Sequence, residues 1–248
     1  MQSKTSIILL TCNRKALSKI AIDSLFERLI NPQFIHLIVI DNNSFDGTVE
    51  MLKEYKDQGK ISKLILLGDG ETVNIATAYN MGIKYVESDW FITMQDDIRI
   101  SKLNPDIVEQ LISLMEKYPD HGAISARIQR IPNLEINDGN EDLIPCRKSI
   151  SAYFRIQKKS DMLKLETCFG TKDWDDLAMK QQMDTIGKKA SWCRNIWVDH
   201  MGHADNRGYP DGYERAWGWG NKKVDPRKPY PKINSETCEP LAGEKIYR

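Results

Sequence analysis

The chain has 248 residues, with 35 Lys and Arg balanced by 35 Asp and Glu, so its formal net charge is zero. That balance excludes the global electrostatic signature of a nucleic-acid coat or a membrane-surface protein, while the length suffices for one full-sized core. Five scattered cysteines (Cys12, Cys146, Cys168, Cys193, Cys238) form no Cys-x-x-Cys pair, so neither a zinc cage nor a disulfide framework is indicated.

The first predicted strand, Ser6 to Thr11, follows a short polar lead that lacks the apolar core of a signal peptide. No run approaches the length of a membrane span, and the expectation is a soluble, cytoplasmic protein with reduced thiols. Leu17, Ile20, Ala21, Leu25 and Leu29 recur at helical spacing and predict a helix from Ala16 to Ile30, stopped by Asn31-Pro32. Phe34 to Ile40 reads as a second buried strand ending at Asp41. Asp46-Gly47-Thr48 then makes a turn, with Thr48 or Asp46 capping a helix through Tyr55. Leu64 to Leu67, Asn74 to Val86 and Trp90 to Met94 follow as strand, helix and strand. Such alternation implies an α/β fold with a mostly parallel sheet and right-handed crossovers.

After Ile100 the rhythm changes. Asn104-Pro105 opens a helix reaching about Tyr118, and Ala123 to Gln129 is another strand. Residues 131–148, rich in polar groups and broken by Pro132, Gly139 and Pro145, read as a long surface loop of the kind that often serves as a lid or binding loop. Ser151 to Ile156 is expected as a strand, Trp174 to Ile186 as a helix and Trp192 to Val198 as a last strand. From 206 to 248 the chain is a Pro-, Gly- and Lys-rich extension, expected to wrap the surface or stay partly disordered.

Polar clusters follow these strands: Thr11-Cys12-Asn13-Arg14, Asp41 to Thr48, Gln95-Asp96-Asp97, and Asp199-His200-Met201-Gly202-His203. Open α/β sheets bind ligands at the carboxyl ends of their strands, so one site could be assembled from all four. Adjacent acids repel unless a cation lies between them, and hard oxygen ligands suit Mg²⁺ or Mn²⁺. Each cluster taken alone is also what turns, caps and surface histidines look like. Asp173, Asp175 and Asp176 likewise fit N-terminal capping of the predicted helix.

Order and content together resemble the family 2 glycosyltransferases with the GT-A fold. The motifs are Thr5 to Arg14, then Ile38-Val39-Ile40-Asp41-Asn42-Asn43-Ser44-Phe45-Asp46-Gly47-Thr48, then Asn74 to Ile83 with its Ala78-Tyr79-Asn80-Met81-Gly82, then Met94-Gln95-Asp96-Asp97. The resemblance covers roughly residues 5 to 205, most tightly in the first hundred. It implies a Rossmann-like twisted sheet flanked by helices: residues 1–205 as one glycosyltransferase domain (1–100 binding a nucleotide-sugar, 101–205 the acceptor and catalytic base), and 206–248 as an extension.

Carried over by position, the resemblance implies that Thr11, Asn13, Arg14, Asp41 and Asn43 line the nucleotide-sugar pocket, with Asp46 and Asn80 framing it. Asp97 would bind Mn²⁺ or Mg²⁺, Asp96 would contact ribose or metal, and His200 (or its rival His203) would complete the metal shell. Asp176, with Asp175 beside it and Asp173 by a shifted alignment, would supply the base. The activity implied is metal-assisted, inverting transfer from a nucleoside-diphosphate sugar to a carbohydrate or other hydroxyl acceptor. Two alternatives stay open: an acceptor on modified nucleic-acid bases engaged by the basic tail, and a non-catalytic nucleotide-sugar-binding protein. Gln95 stands where many members have Asp, and Ile75 where Gly is usual.

Overall fold

The computed structural model describes residues 4–67, 73, 75–101, 104, 106–128, 141–165, 176–201 and 244–247; residues 76, 176–178 and 244–247 are described by backbone alone. Strands β1 (Thr5–Thr11), β2 (Ile35–Asp41), β3 (Lys63–Leu67) and β4 (Trp90–Gln95) alternate with helices α1 (Lys15–Arg28), α2 (Thr48–Asp57) and α3 (Ile75–Ile83). They form the parallel run β3-β2-β1-β4. β1 and β2 are apolar on both faces because helices cover both. Ile7 and Leu9 pack with Ala21, Ile22 and Leu25 of α1 and with Met51 and Leu52 of α2. Ile8, pointing the other way, packs with Ala78, Tyr79 and Met81 of α3.

Beyond β4 the sheet becomes mixed. β5 (Ile98–Ile100), α4 (Ile107–Lys117), β6 (His121–Ile128), β7 (Leu143–Pro145), β8 (Phe154–Lys158), α5 (Lys159–Lys164), α6 (Asp176–Thr185), β9 (Lys189–His200) and β10 (Glu244–Tyr247) complete the element order. β8 runs antiparallel between β4 and β6, while β9 lies parallel to β6. The carboxyl ends of β1, β2, β4, β6 and β9 therefore share one edge. β5 returns antiparallel along β9, opposing Ile98 to His200. This short return brings the end of the last long strand against the end of β4.

Several predicted boundaries shift. Residues 143–145, expected within a surface loop, instead form β7 against β9, with Leu143 and Ile144 each 1% exposed. Leu143 joins the core cluster that holds Cys193 and Ile196. The strand expected from Ser151 begins at Phe154, and the helix expected to run to Val86 ends at Ile83. Gly187 ends α6 in a left-handed conformation (φ 69°), and Lys188 N–H donates back to the Met183 carbonyl. The Pro- and Lys-rich extension lies outside the described residues up to 243; its residues 244–247 add β10 to the edge of the sheet beside β3.

Candidate active site

The β1 and β2 ends are laced together by their own loops. Asn42 N–H donates to the Thr11 carbonyl at 2.8 Å, Asn13 N–H to Ser44 Oγ at 2.7 Å, and Phe45 N–H to Asn13 Oδ1 at 2.8 Å. Asn13 and Asn43 take the left-handed conformation (φ 52° and 64°) that asparagine tolerates better than most residues. Thr11 and Ser18 share a 2.6 Å hydrogen bond between hydroxyls, tying the strand end to α1. Asp46 is committed to the protein: Oδ2 accepts from Lys15 N–H at 3.0 Å, and Oδ1 from the Thr48 N–H and hydroxyl. Its bond to Thr48 N–H closes an Asx turn at the start of α2.

Asp41 is different. It is 1% exposed, and Oδ1 accepts from Ser44 N–H at 2.8 Å while Oδ2 is buried without a hydrogen-bond partner. Burial raises its carboxyl above the ordinary value, against the lowering effect of the Ser44 hydrogen bonds. Asn42 beside it clamps the backbone of Val73 twice: Nδ2 donates to the carbonyl and Oδ1 accepts from the N–H, both at 2.9 Å. This clamp fixes the approach to α3, on which Asn80 sits partly exposed. Asn42 and Ser44 were inside the quoted motif but carried no predicted role; only their contacts reveal it.

The end of β4 holds the densest charge. Asp96 and Asp97 are each 4% exposed. A single nitrogen of Arg14, Nη1, donates to Asp96 Oδ1 at 2.8 Å and to Asp97 Oδ2 at 3.1 Å. His200 Nε2 lies 3.4 Å from the same Asp97 Oδ2, and Met201 N–H donates to the Asp97 carbonyl at 2.7 Å. Asp97 Oδ1 is buried without a hydrogen-bond partner. Burial would raise the Asp97 carboxyl, but the close approach of His200 and the Arg14 charge outweigh it and hold it below the ordinary value. Burial raises Asp96, reinforced by the Asp97 charge and only partly offset by Arg14. The Tyr153 ring packs on His200 with centroids 4.5 Å apart, a contact that no sequence motif signalled.

These sites line one edge. Thr11 is paired with Asp41 and Leu10 with Gln95, so Asp41 and the Asp96-Asp97 turn stand two strands apart, about 10 Å at ordinary strand spacing. Asp176 is the first residue of α6, and nothing more of it is described. Asp173, Asp175 and His203 lie outside the described residues. Among the described residues no three His, Cys, Asp or Glu side chains converge on one point. Asp97 and His200 are nonetheless close enough to be neighbouring ligands, and the orphaned Asp97 Oδ1 suits a hard cation. Mg²⁺-type sites commonly use one or two carboxylates and take their remaining ligands from water and substrate phosphates.

A family model described as Glycosyl transferase family 2 matches residues 6–172. Among solved structures, the mannosyltransferase PcManGT from Pyrobaculum calidifontis, in complex with GDP-Man and Mn²⁺, aligns with a TM-score of 0.62 at 15% identity, covering 84% of this chain and 59% of that one. TarS from S. aureus aligns with a TM-score of 0.61 at 13% identity, covering 80% of this chain and 36% of that one. TarS 1–349 in complex with UDP-GlcNAc gives 0.58 at 13% identity, over 84% of this chain and 62% of that one. The chain thus spans less than two thirds of the length of each of these three structures, and at these identities the likeness establishes the GT-A-like fold.

Proposed function

The chain belongs to glycosyltransferase family 2, and from that premise we propose that it transfers a sugar from a nucleoside-diphosphate donor to a hydroxyl acceptor with the help of a divalent cation held by Asp97 and His200. One observation carries the reading. At the carboxyl edge of the sheet, Asp97 keeps one buried oxygen unpartnered and shares the other with His200, while Asp41 keeps a second unpartnered oxygen two strands away. Those are the two ends of a nucleotide pocket: an acceptor for a base N–H or ribose hydroxyl at Asp41, and a cation anchor for the diphosphate at Asp97. Neighbours of the same fold solved with UDP-GlcNAc, or with GDP-Man and Mn²⁺, support a nucleoside-diphosphate sugar as the donor.

In this reading the cation, Mn²⁺ or Mg²⁺, supplies Lewis-acid stabilisation of the departing diphosphate. The chain's own residues do the rest. Thr11, Asn13 and Asn43 shape the nucleoside cleft, Asn80 faces it from α3, and Asp96 contacts ribose or metal. Asp176 takes the acceptor proton, with Asp175 as its neighbour, and such base assistance is typically worth about 10²–10⁴-fold. Attack from the face opposite the diphosphate inverts the anomeric carbon.

The test is donor binding and turnover. Calorimetric screening of UDP- and GDP-sugars with Mn²⁺ should find a donor that stabilises the fold. Asp97→Asn should lose the Mn²⁺-dependent part of binding. Asp176→Asn should keep donor affinity and lose at least about a hundredfold in transfer rate. Thermal shifts that are indifferent to every donor, with or without Mn²⁺, would sink the assignment. Product NMR decides inversion.

A further inference from the structure

The Asp97 oxygen nearest His200 is already occupied by a cation. Arg14 Nη1 sits between the two carboxylates, 2.8 Å from Asp96 Oδ1 and 3.1 Å from Asp97 Oδ2, and His200 Nε2 approaches that same Oδ2 to 3.4 Å. We propose that Arg14 is a resident counter-cation: its guanidinium neutralises the acidic pair in the donor-free protein, competes with a bare divalent ion for Asp97, and yields only when the ion arrives with the nucleotide's diphosphate. This rests on the assignment of Asp97 and His200 to the cation.

The competition follows from the shared carboxylate. An ion taking the unpartnered Asp97 Oδ1 beside His200 would lie within a few ångströms of the guanidinium on Oδ2 of the same group, and like charges at that range repel strongly in a buried setting. The guanidinium must therefore leave Oδ2. It can do so without disturbing the fold, because the Arg14 backbone is anchored separately. Its carbonyl accepts from Ser18 N–H at 2.8 Å, and the next amide, Lys15 N–H, is held by Asp46 at 3.0 Å. Only side-chain torsions need change. A diphosphate gives the displaced guanidinium a new partner of matching geometry, since arginine binds phosphate oxygens through paired N–H groups. A bare ion gives it none. Metal and nucleotide binding are thereby coupled through one side chain. Without a donor, two buried acids remain compensated rather than repelling each other.

The experiment titrates MnCl₂ alone, then MnCl₂ with UDP, into the wild type, Arg14→Gln, Arg14→Lys and Asp97→Asn, reading Mn²⁺ affinity by calorimetry and by the Mn²⁺ paramagnetic resonance signal. Arg14→Gln should bind Mn²⁺ alone at least about tenfold more tightly than the wild type, and Arg14→Lys, which keeps the charge, should stay within about threefold of it. UDP should tighten Mn²⁺ binding more in the wild type than in Arg14→Gln. Should Arg14→Gln fail to fold, Arg14→Met is measured against the same expectation. Equal or weaker Mn²⁺ affinity in the neutral variant overturns the proposal, as does an Arg14→Lys protein that behaves like Arg14→Gln. Asp97→Asn separates the two levels of the argument. If it abolishes Mn²⁺ binding while Arg14→Gln matches the wild type, only the Arg14 role falls. If Mn²⁺ binding survives Asp97→Asn, the cation assignment falls too.

Discussion

Gly82 tests whether one residue of the α3 motif serves packing rather than chemistry. A Cβ built there would lie 2.6 Å from Ile8 Cγ2, 3.1 Å from Ile40 Cδ1 and 3.2 Å from Ile8 Cδ1. Ile8 cannot retreat: it is fully buried in β1 and paired on one side with Ile38 and on the other with Thr93. Its branched side chain has little rotamer freedom, so turning one γ carbon away brings another in. Gly82→Ala therefore pushes α3 outward by about 1 Å to restore normal contact. Such overpacking costs about 1–3 kcal/mol, and the better helix propensity of alanine returns about 1 kcal/mol at most. The expected net loss is about 1–2 kcal/mol, or a fall in Tm of about 2–8 °C for a domain of this size. Urea unfolding and calorimetry measure it. A double-mutant cycle with Ile8→Ala isolates the cause, because removing both Ile8 contacts should abolish most of the Gly82→Ala cost. If Gly82→Ala is neutral, or equally costly in the Ile8→Ala background, the close approach of α3 to β1 is not what requires glycine.

Further outcomes follow from other buried groups. Asp41→Asn removes the buried carboxylate charge beside the proposed nucleoside cleft and should weaken UDP or GDP binding about 10- to 100-fold by calorimetry, while leaving the urea midpoint unchanged or higher, because a desolvated charge is relieved. Burial depresses the His36 imidazole below its ordinary value, against the pull of Glu87. The unfolded chain therefore takes up this proton first as pH falls below about 6.5, and His36 contributes a stability loss on acidification. His36→Gln should flatten the dependence of the urea midpoint between pH 7 and 5; an unchanged slope would contradict the assignment. The Cys193 thiol is fully buried and pushed far above the ordinary thiol range by burial, so peptide mapping after brief maleimide labelling should find Cys12, which is partly exposed, modified before Cys146 and Cys193, with Cys193 protected until unfolding.

How far the sequence carries depends on the range of the interactions. The parallel half is legible because β1, β2 and β4 are apolar runs punctuated by Asx residues, and both signals are local. Direction and short edges are not. Nothing in Phe154–Lys158 says that β8 runs antiparallel between β4 and β6, since a strand buried on both faces reads alike in either direction. β5 and β7 are three residues each, too short for periodicity, and are defined by pairing with β9, β5 along residues 198–200 and β7 along residues 191–193. Apolar Leu143 and Ile144 were hidden in a polar stretch whose composition argued for a loop. At Gln95, a departure from the usual motif, the backbone N–H donates to the Tyr153 carbonyl at 3.1 Å, a pairing across 58 residues that no local pattern announces.

The candidate site shows the same division and explains why it is costly to keep. Asp41 and Asp97 were legible as acids at strand ends, but their distinguishing feature, an unpartnered buried oxygen on each, is a property of the packed edge. Each such group costs the folded protein about 1–3 kcal/mol. Asp46, equally prominent in the sequence, carries no such cost because both its oxygens are bonded to backbone N–H groups. Nothing in the motif alone separates a carboxylate committed to backbone N–H groups from one that keeps an oxygen unpartnered; the hydrogen-bond tally does. By that criterion Asp41 and Asp97 are the positions where a ligand gains most, because its N–H groups and cation would satisfy atoms that the fold leaves unsatisfied. Arg14 fits the same logic from the other side, compensating the acids across 82 and 83 residues of sequence until something better suited to them arrives.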